Sequence, residues 1–156
     1  MRGPVNMKKL QYILFLLVIS INSESYTATT SGTVEQDGCS TKKTQIMKPE
    51  FPPADVSGYV VVNFNINEKG SLEKIRAGES MCVIVSKRNK SAEMKSCGIF
   101  KRYAVNAARF LKYKPPLNTK NEACSLQGIK HRYTFYHDKS ELIENTLNEH
   151  FLSKSQ

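Results

Sequence analysis

The sequence predicts an α+β fold, in which a small antiparallel three-stranded sheet packs against one main helix and a short extra helix follows at the C-terminus. Three observations carry that expectation. Apolar and polar residues alternate over Val60–Ile66 and over Ile129–Phe135, the period of a half-buried strand. Between these runs, apolar residues from Phe100 to Leu111 recur on a helical period. The chain has 156 residues, 40% apolar and 24% charged, enough for one core and a short extra element but not for two domains.

Residues 1–25 read as a secretory signal peptide. Arg2, Lys8 and Lys9 precede the apolar run Leu10–Ile21, in which Gln11 and Ser20 are the clearly polar members, and Asn22–Ser25 are small or polar. A basic start, a short apolar stretch and small residues near a cut describe such a signal, whereas a spanning helix needs about 20 apolar residues. Cleavage is expected near Ser23–Ser25, with delivery to the periplasm; the alternative is an uncleaved segment that tethers the chain to the inner membrane. Loss of residues 1–23 takes the 23 Lys and Arg down by three to 20, against 14 Asp and Glu, a net of +6. That mild excess suits a weak contact with anionic lipid or cell wall. Nucleic acid is not an expected partner, because an exported chain does not meet it and no nucleic-acid motif is present.

Residues 26–47 are rich in Ser, Thr, Gly, Lys and Gln without an apolar period, and are expected to form a flexible lead-in. The domain proper, residues 48–137, opens on Lys48-Pro49-Glu50-Phe51-Pro52-Pro53, whose prolines exclude a regular element. In the first strand Val60, Val62, Phe64 and Ile66 face one way, and Val61, Asn63 and Asn65 the other. Asn67-Glu68-Lys69-Gly70 turns the chain and Leu72–Ala77 returns as a second strand. Cys82–Val85 can continue the pairing before a polar loop, Ser86–Ser96. The main helix follows: Phe100, Tyr103, Ala104, Ala107, Phe110 and Leu111 form one stripe, Lys112 and Lys114 favour its C-terminal end, and Pro115-Pro116 stop it. In the third strand, Ile129–His137, the residues Ile129, His131, Tyr133 and Phe135 alternate with Lys130, Arg132 and Thr134. Leu142, Ile143, Leu147 and Phe151 mark the short helix of the extension, residues 138–156.

Cys39, Cys82, Cys97 and Cys124 include no C-x-x-C pair, which disfavours zinc-ribbon and redox-motif readings. An even number in an oxidising compartment favours two disulfides, in one of three connectivities. Cys82 and Cys97 bracket the polar stretch and make a natural pair, which leaves Cys39 for Cys124.

Several motifs in order resemble the C-terminal domain of the TonB family. Phe51-Pro52-Pro53-Ala54 matches its aromatic-Pro lead, and Gly58-Tyr59-Val60-Val61-Val62-Asn63-Phe64-Asn65-Ile66 its Gly before V-x-V-x-F-x-V. Lys69-Gly70-Ser71-Leu72 matches the turn into its second strand. Phe110-Leu111-Lys112-Tyr113-Lys114-Pro115 is similar to the W-x-[FY]-x-P helix ending. The resemblance spans roughly residues 49–137. It implies a periplasmic protein-binding module, linked to energy transduction or transport across the outer membrane, that captures a peptide segment of an envelope protein such as an outer-membrane transporter. The chain departs from a complete energy transducer of that family: no His precedes His131, and it has six prolines rather than a long Pro-rich spacer. The alternative is therefore an exported structural or interaction protein that keeps the fold without transport coupling.

The expected receiving surface is the last strand, with Ile129, Lys130, His131, Arg132, Tyr133, Thr134 and Phe135 as partner-binding residues. A sheet edge accepts an extended segment as an extra strand, the backbone supplying the hydrogen bonds. Catalysis is not expected, since His131, His137 and His150 stand apart from any nucleophile pattern, and neither a cofactor nor a metal is expected.

Overall fold

The structure, a computed structural model, describes residues 32–154. The expected signal peptide, residues 1–25, lies outside the described residues. Ten elements follow in chain order: β1 (Thr33–Gln36), β2 (Cys39–Gln45), β3 (Ser57–Ile66), β4 (Leu72–Ser86), β5 (Ser91–Ser96), α1 (Lys101–Ala108), β6 (Lys112–Tyr113), β7 (Leu117–Asn118), β8 (Leu126–Phe135) and α2 (Glu141–Ser153). The described residues are 46% strand and 17% helix, so the chain is mostly β. The expected three-stranded sheet on one main helix is thereby corrected: there are two antiparallel sheets of four strands each.

The larger sheet has the order β5-β4-β3-β8. β3 is its centre and is covered on both faces. Val60, Val62, Phe64 and Ile66 point into the main core with Phe100, Ala104 and Ala108 around α1. On the opposite face Tyr59 packs with Val83 and with Ile143 and Leu147 of α2, forming a second, smaller core. Phe100 stacks on Phe135 with centroids 4.4 Å apart, which ties the entry to α1 to the end of β8.

Two elements replace expected irregular segments. Residues 33–45, expected to be flexible, form the β1–β2 hairpin; Asp37 and Gly38 turn it with φ of 51° and 75°. Positive φ at both central residues is what a tight two-residue hairpin turn requires. β2 then pairs along its other side with β7 at Cys39 and Ser40, and with β6 at Lys43 and Gln45. Pro115-Pro116 divide what would otherwise be one strand into β6 and β7. The polar stretch Ser86–Ser96, expected to be a loop, is a hairpin in which Ala92 pairs with Val85 and Met94 with Val83. Its inward side chains, Ala92 and Met94, pack against the second core.

The main helix is also shorter than its apolar stripe. After Ala108 the hydrogen bonds tighten to i→i−3, Phe110 N–H to the Ala107 carbonyl and Leu111 N–H to the Ala108 carbonyl, each 3.1 Å. A three-residue turn rotates the chain out of helical phase, so Leu111 stays buried while Phe110 is 55% exposed.

The cysteines form two bridges, Cys39–Cys124 and Cys82–Cys97. Cys82–Cys97 links β4 to the segment leading into α1, and Cys39–Cys124 fastens β2 to the loop before β8. Gly58 sits where β4 and Phe100 both come close. A Cβ there would stand 2.1 Å from the Met81 carbonyl oxygen and 2.7 Å from the Phe100 ring.

Two outcomes follow from this packing. Gly58→Ala should lower the urea midpoint sharply, by the equivalent of about 2 kcal/mol or more, since backbone and a buried ring must both shift. Replacing Cys39 and Cys124 by Ser should cost more stability than replacing Cys82 and Cys97, because the bridged residues are 85 apart in one case and 15 in the other. Loop-closure entropy puts the two losses at about 4.6 and 3 kcal/mol, and denaturation curves of the two double variants measure the difference.

Candidate functional site

β8 is the last strand of the larger sheet: it pairs with β3, and among the described residues no strand pairs on its other side. Its seven candidate residues divide by pleat. Ile129, Tyr133 and Phe135 are buried on the core face, and His131 between them is half-buried. Lys130 and Arg132 are exposed, and Thr134 is half-buried opposite Tyr59. Four of the seven thus point inward, and a partner meeting this edge would reach the backbone together with Lys130, Arg132 and Thr134.

Arg132 is exposed but engaged, with its guanidinium 3.6 Å from the centroid of Phe151 on α2. Such stacking holds a cation over the electron-rich ring face. Arg132 is therefore not a free cation of this edge. At the start of the strand, the register with β3 slips between Phe64 and Ile66, and Gly128 takes a φ of 62°. This bulge turns the Gly128 N–H to the Asn65 side-chain oxygen, while the Gln127 N–H donates to Gln36 of β1, each at 2.9 Å. The open edge accordingly begins after the bulge.

The least expected partner comes from the segment read as a lead-in. Lys43 of β2 places Nζ 3.1 Å from Nδ1 of His131. An ammonium has only donors, so Nδ1 accepts and the imidazole is neutral with its proton on Nε2. Burial, with the Lys43 charge second, pushes the His131 pKa down to about 4. Burial likewise lowers the pKa of Lys43. Tyr133 lies edge-on to His131 with centroids 4.6 Å apart, and its hydroxyl is buried without a hydrogen-bond partner among the described residues. Burial pushes this phenol up to about 12. Lys43 also lies 5.7 Å from the ring centroid of Tyr113 of β6. This group braces the small sheet against β8.

A second polar group fixes α2 on the opposite face. Tyr59 donates its hydroxyl hydrogen to Glu79 at 2.8 Å, so the 2.9 Å contact with His150 Nε2 has the histidine as donor. Lys154 also bonds Glu79. Burial alone would raise the Glu79 pKa, but hydrogen bonds from Lys154 and Tyr59 hold it below the usual carboxylate value. His137 faces Asp55 at 3.8 Å, far in the fold from the Lys43–His131 contact. Among the described residues, no group of three His, Cys, Asp or Glu side chains is placed to hold a metal ion.

Because His131 is held neutral, the unfolded chain, with a histidine pKa near 6.5, binds a proton that the folded chain refuses. The contribution is complete above pH 6.5 and is lost as pH falls toward about 4. Stability against urea should therefore decline across that window. Lys43→Met should raise the His131 midpoint, followed by its ring proton shifts, yet leave it below 6.5 because burial is the larger cause.

Two disulfides place the chain in an oxidising, extracytoplasmic compartment. No helix among the described residues is long and apolar enough to cross a membrane. Comparison with known proteins gives no matching family model, curated protein or solved structure.

Proposed function

We propose that this chain is a periplasmic binding module that receives an extended segment of an envelope protein along the edge of β8. The observation that carries the reading is the position of β8: it ends its sheet, with Ile129 paired opposite Phe64 and Phe135 stacked on Phe100. A rigid edge presents backbone donors and acceptors in register without reorganisation, which is the requirement for strand addition. The oxidising compartment supports an envelope partner. The likeness of the Phe51–Ala54, Gly58–Ile66 and Phe110–Pro115 motifs to the TonB C-terminal domain supports a transporter segment as the occupant. The reading assigns binding, with no catalytic step.

Thr134→Pro tests it, because proline removes a backbone donor from the strand. The wild-type chain should retain a partner from solubilised envelope, and the β8 amides should gain protection from hydrogen exchange when it is bound. A Thr134→Pro chain that stays folded by circular dichroism should lose both. Retention by the folded variant, or protection appearing elsewhere, would place the binding site away from this edge.

A further inference from the structure

The β4–β5 hairpin reaches beyond the rest of its sheet. The first residue of β3, Ser57, pairs with Val83, so Ile84, Val85 and Ser86 pair with β5 alone, opposite Glu93, Ala92 and Ser91. Three residues of two-stranded ribbon extend about 10 Å. The turn that closes it, Lys87-Arg88-Asn89-Lys90, is exposed throughout and carries three cations. None of the three enters an ion pair among the described residues, whereas the one carboxylate of the projecting part, Glu93, is held by Lys95 at 2.7 Å. Ile84 and Val85 are 40% and 44% exposed. As neighbours on a strand they face opposite sides of the ribbon.

We infer that this hairpin tip docks on an anionic lipid surface, with Lys87, Arg88 and Lys90 among the phosphate headgroups and Ile84 and Val85 at the acyl boundary. The arrangement of charge and apolar surface selects the occupant. A protein face would cover one side of the ribbon, but here apolar side chains on both sides stand behind a cationic turn, the geometry of a wedge entering headgroups end-on. Long basic side chains suit that position, since their stems lie in the apolar layer while their charges stay with the phosphates. A shallow groove at the base, lined by Val56, Val83, Ile84, Val85 and Ile143, continues the apolar surface. It also holds Asp55 and Asp138, so the attraction comes from the turn and not from the groove. The site lies at the β5 side of the sheet and β8 at the other, so it stands independently of peptide capture.

Sedimentation with vesicles tests this in the full chain. Phosphatidylethanolamine vesicles containing phosphatidylglycerol should carry the protein down, and pure phosphatidylcholine vesicles should carry much less. Lys87→Gln/Arg88→Gln/Lys90→Gln should reduce partitioning on the order of a hundredfold, from about fivefold per cation near an anionic surface, and Ile84→Asn should weaken it with the charges intact. For the wild-type chain, binding should fall steeply with added salt, which keeps the test decisive should a variant misfold. Equal binding to both vesicle types, as the apolar run Leu10–Ile21 acting alone would give, overturns the inference. So does retention on poly-glutamate without binding to vesicles, or competition by millimolar inorganic phosphate that abolishes binding altogether, which marks a free-phosphate site.

Discussion

β3 is buried on both faces, with Val60 and Val62 fully enclosed on one and Tyr59 on the other, so the sheet needs two separate covers. α1 and the small sheet supply the first and α2 the second. Each cover brings its own fastening. The disulfides hold β4 to the entry of α1 and β2 to the approach to β8, both on the side of the larger core. The α2 side has no covalent link. There the phenol of Tyr59 reaches through the smaller core to Glu79 and His150, and Arg132 closes over Phe151. A buried hydroxyl left without partners would be costly, so the residue that fills the second core also dictates the polar pin that holds its cover.

How much of this the sequence reveals depends on where the apolar signal lies. The alternation Val60-Val62-Phe64-Ile66 marks the core face of β3 directly, and the cysteine spacing points to the pairs that form. Val61 reads as part of the face away from the core, because a strand of this length carries no local sign that a later helix will cover it. The β1–β2 hairpin is missed for a different reason. Its strands, T-V-E-Q and C-S-T-K-K-T-Q, are mostly polar, since one face lies toward solvent and the strands gain their place by pairing with β6 and β7. The Asp37-Gly38 dipeptide is the signal that would find it. In β5 the corresponding signal is Ala92 and Met94 alternating with Glu93 and Lys95, obscured by the surrounding Lys, Ser and Asn.

The candidate edge shows the same division. The sequence locates β8 and the side on which Ile129, Tyr133 and Phe135 lie, because period-two alternation is local. It does not reveal that His131 meets Lys43, a partner 88 residues away on a strand with no apolar pattern. Nor does it reveal that Arg132 is held by Phe151, which belongs to the extension after the third strand. Both contacts join residues whose individual patterns look like solvent-facing polar sequence. Their meaning comes from the sheet order, which sets β8 between the small sheet and α2.

The two edges of the larger sheet are protected unequally. β5 is short, carries the Glu93–Lys95 pair, and lies beneath α2, whose Ile143 and Leu147 reach the core that Ala92 and Met94 border. Short, charged and covered edges resist adding a strand. β8 is longer, and its protection is concentrated at its beginning, where the Gly128 bulge and Gln36 occupy backbone groups. Beyond that point the side chain of Lys43 crosses to His131 without forming a ladder. Of the two edges β8 is thus the more open beyond its bulge, while β5 presents a closed flank with exposed cations at the turn of its tip.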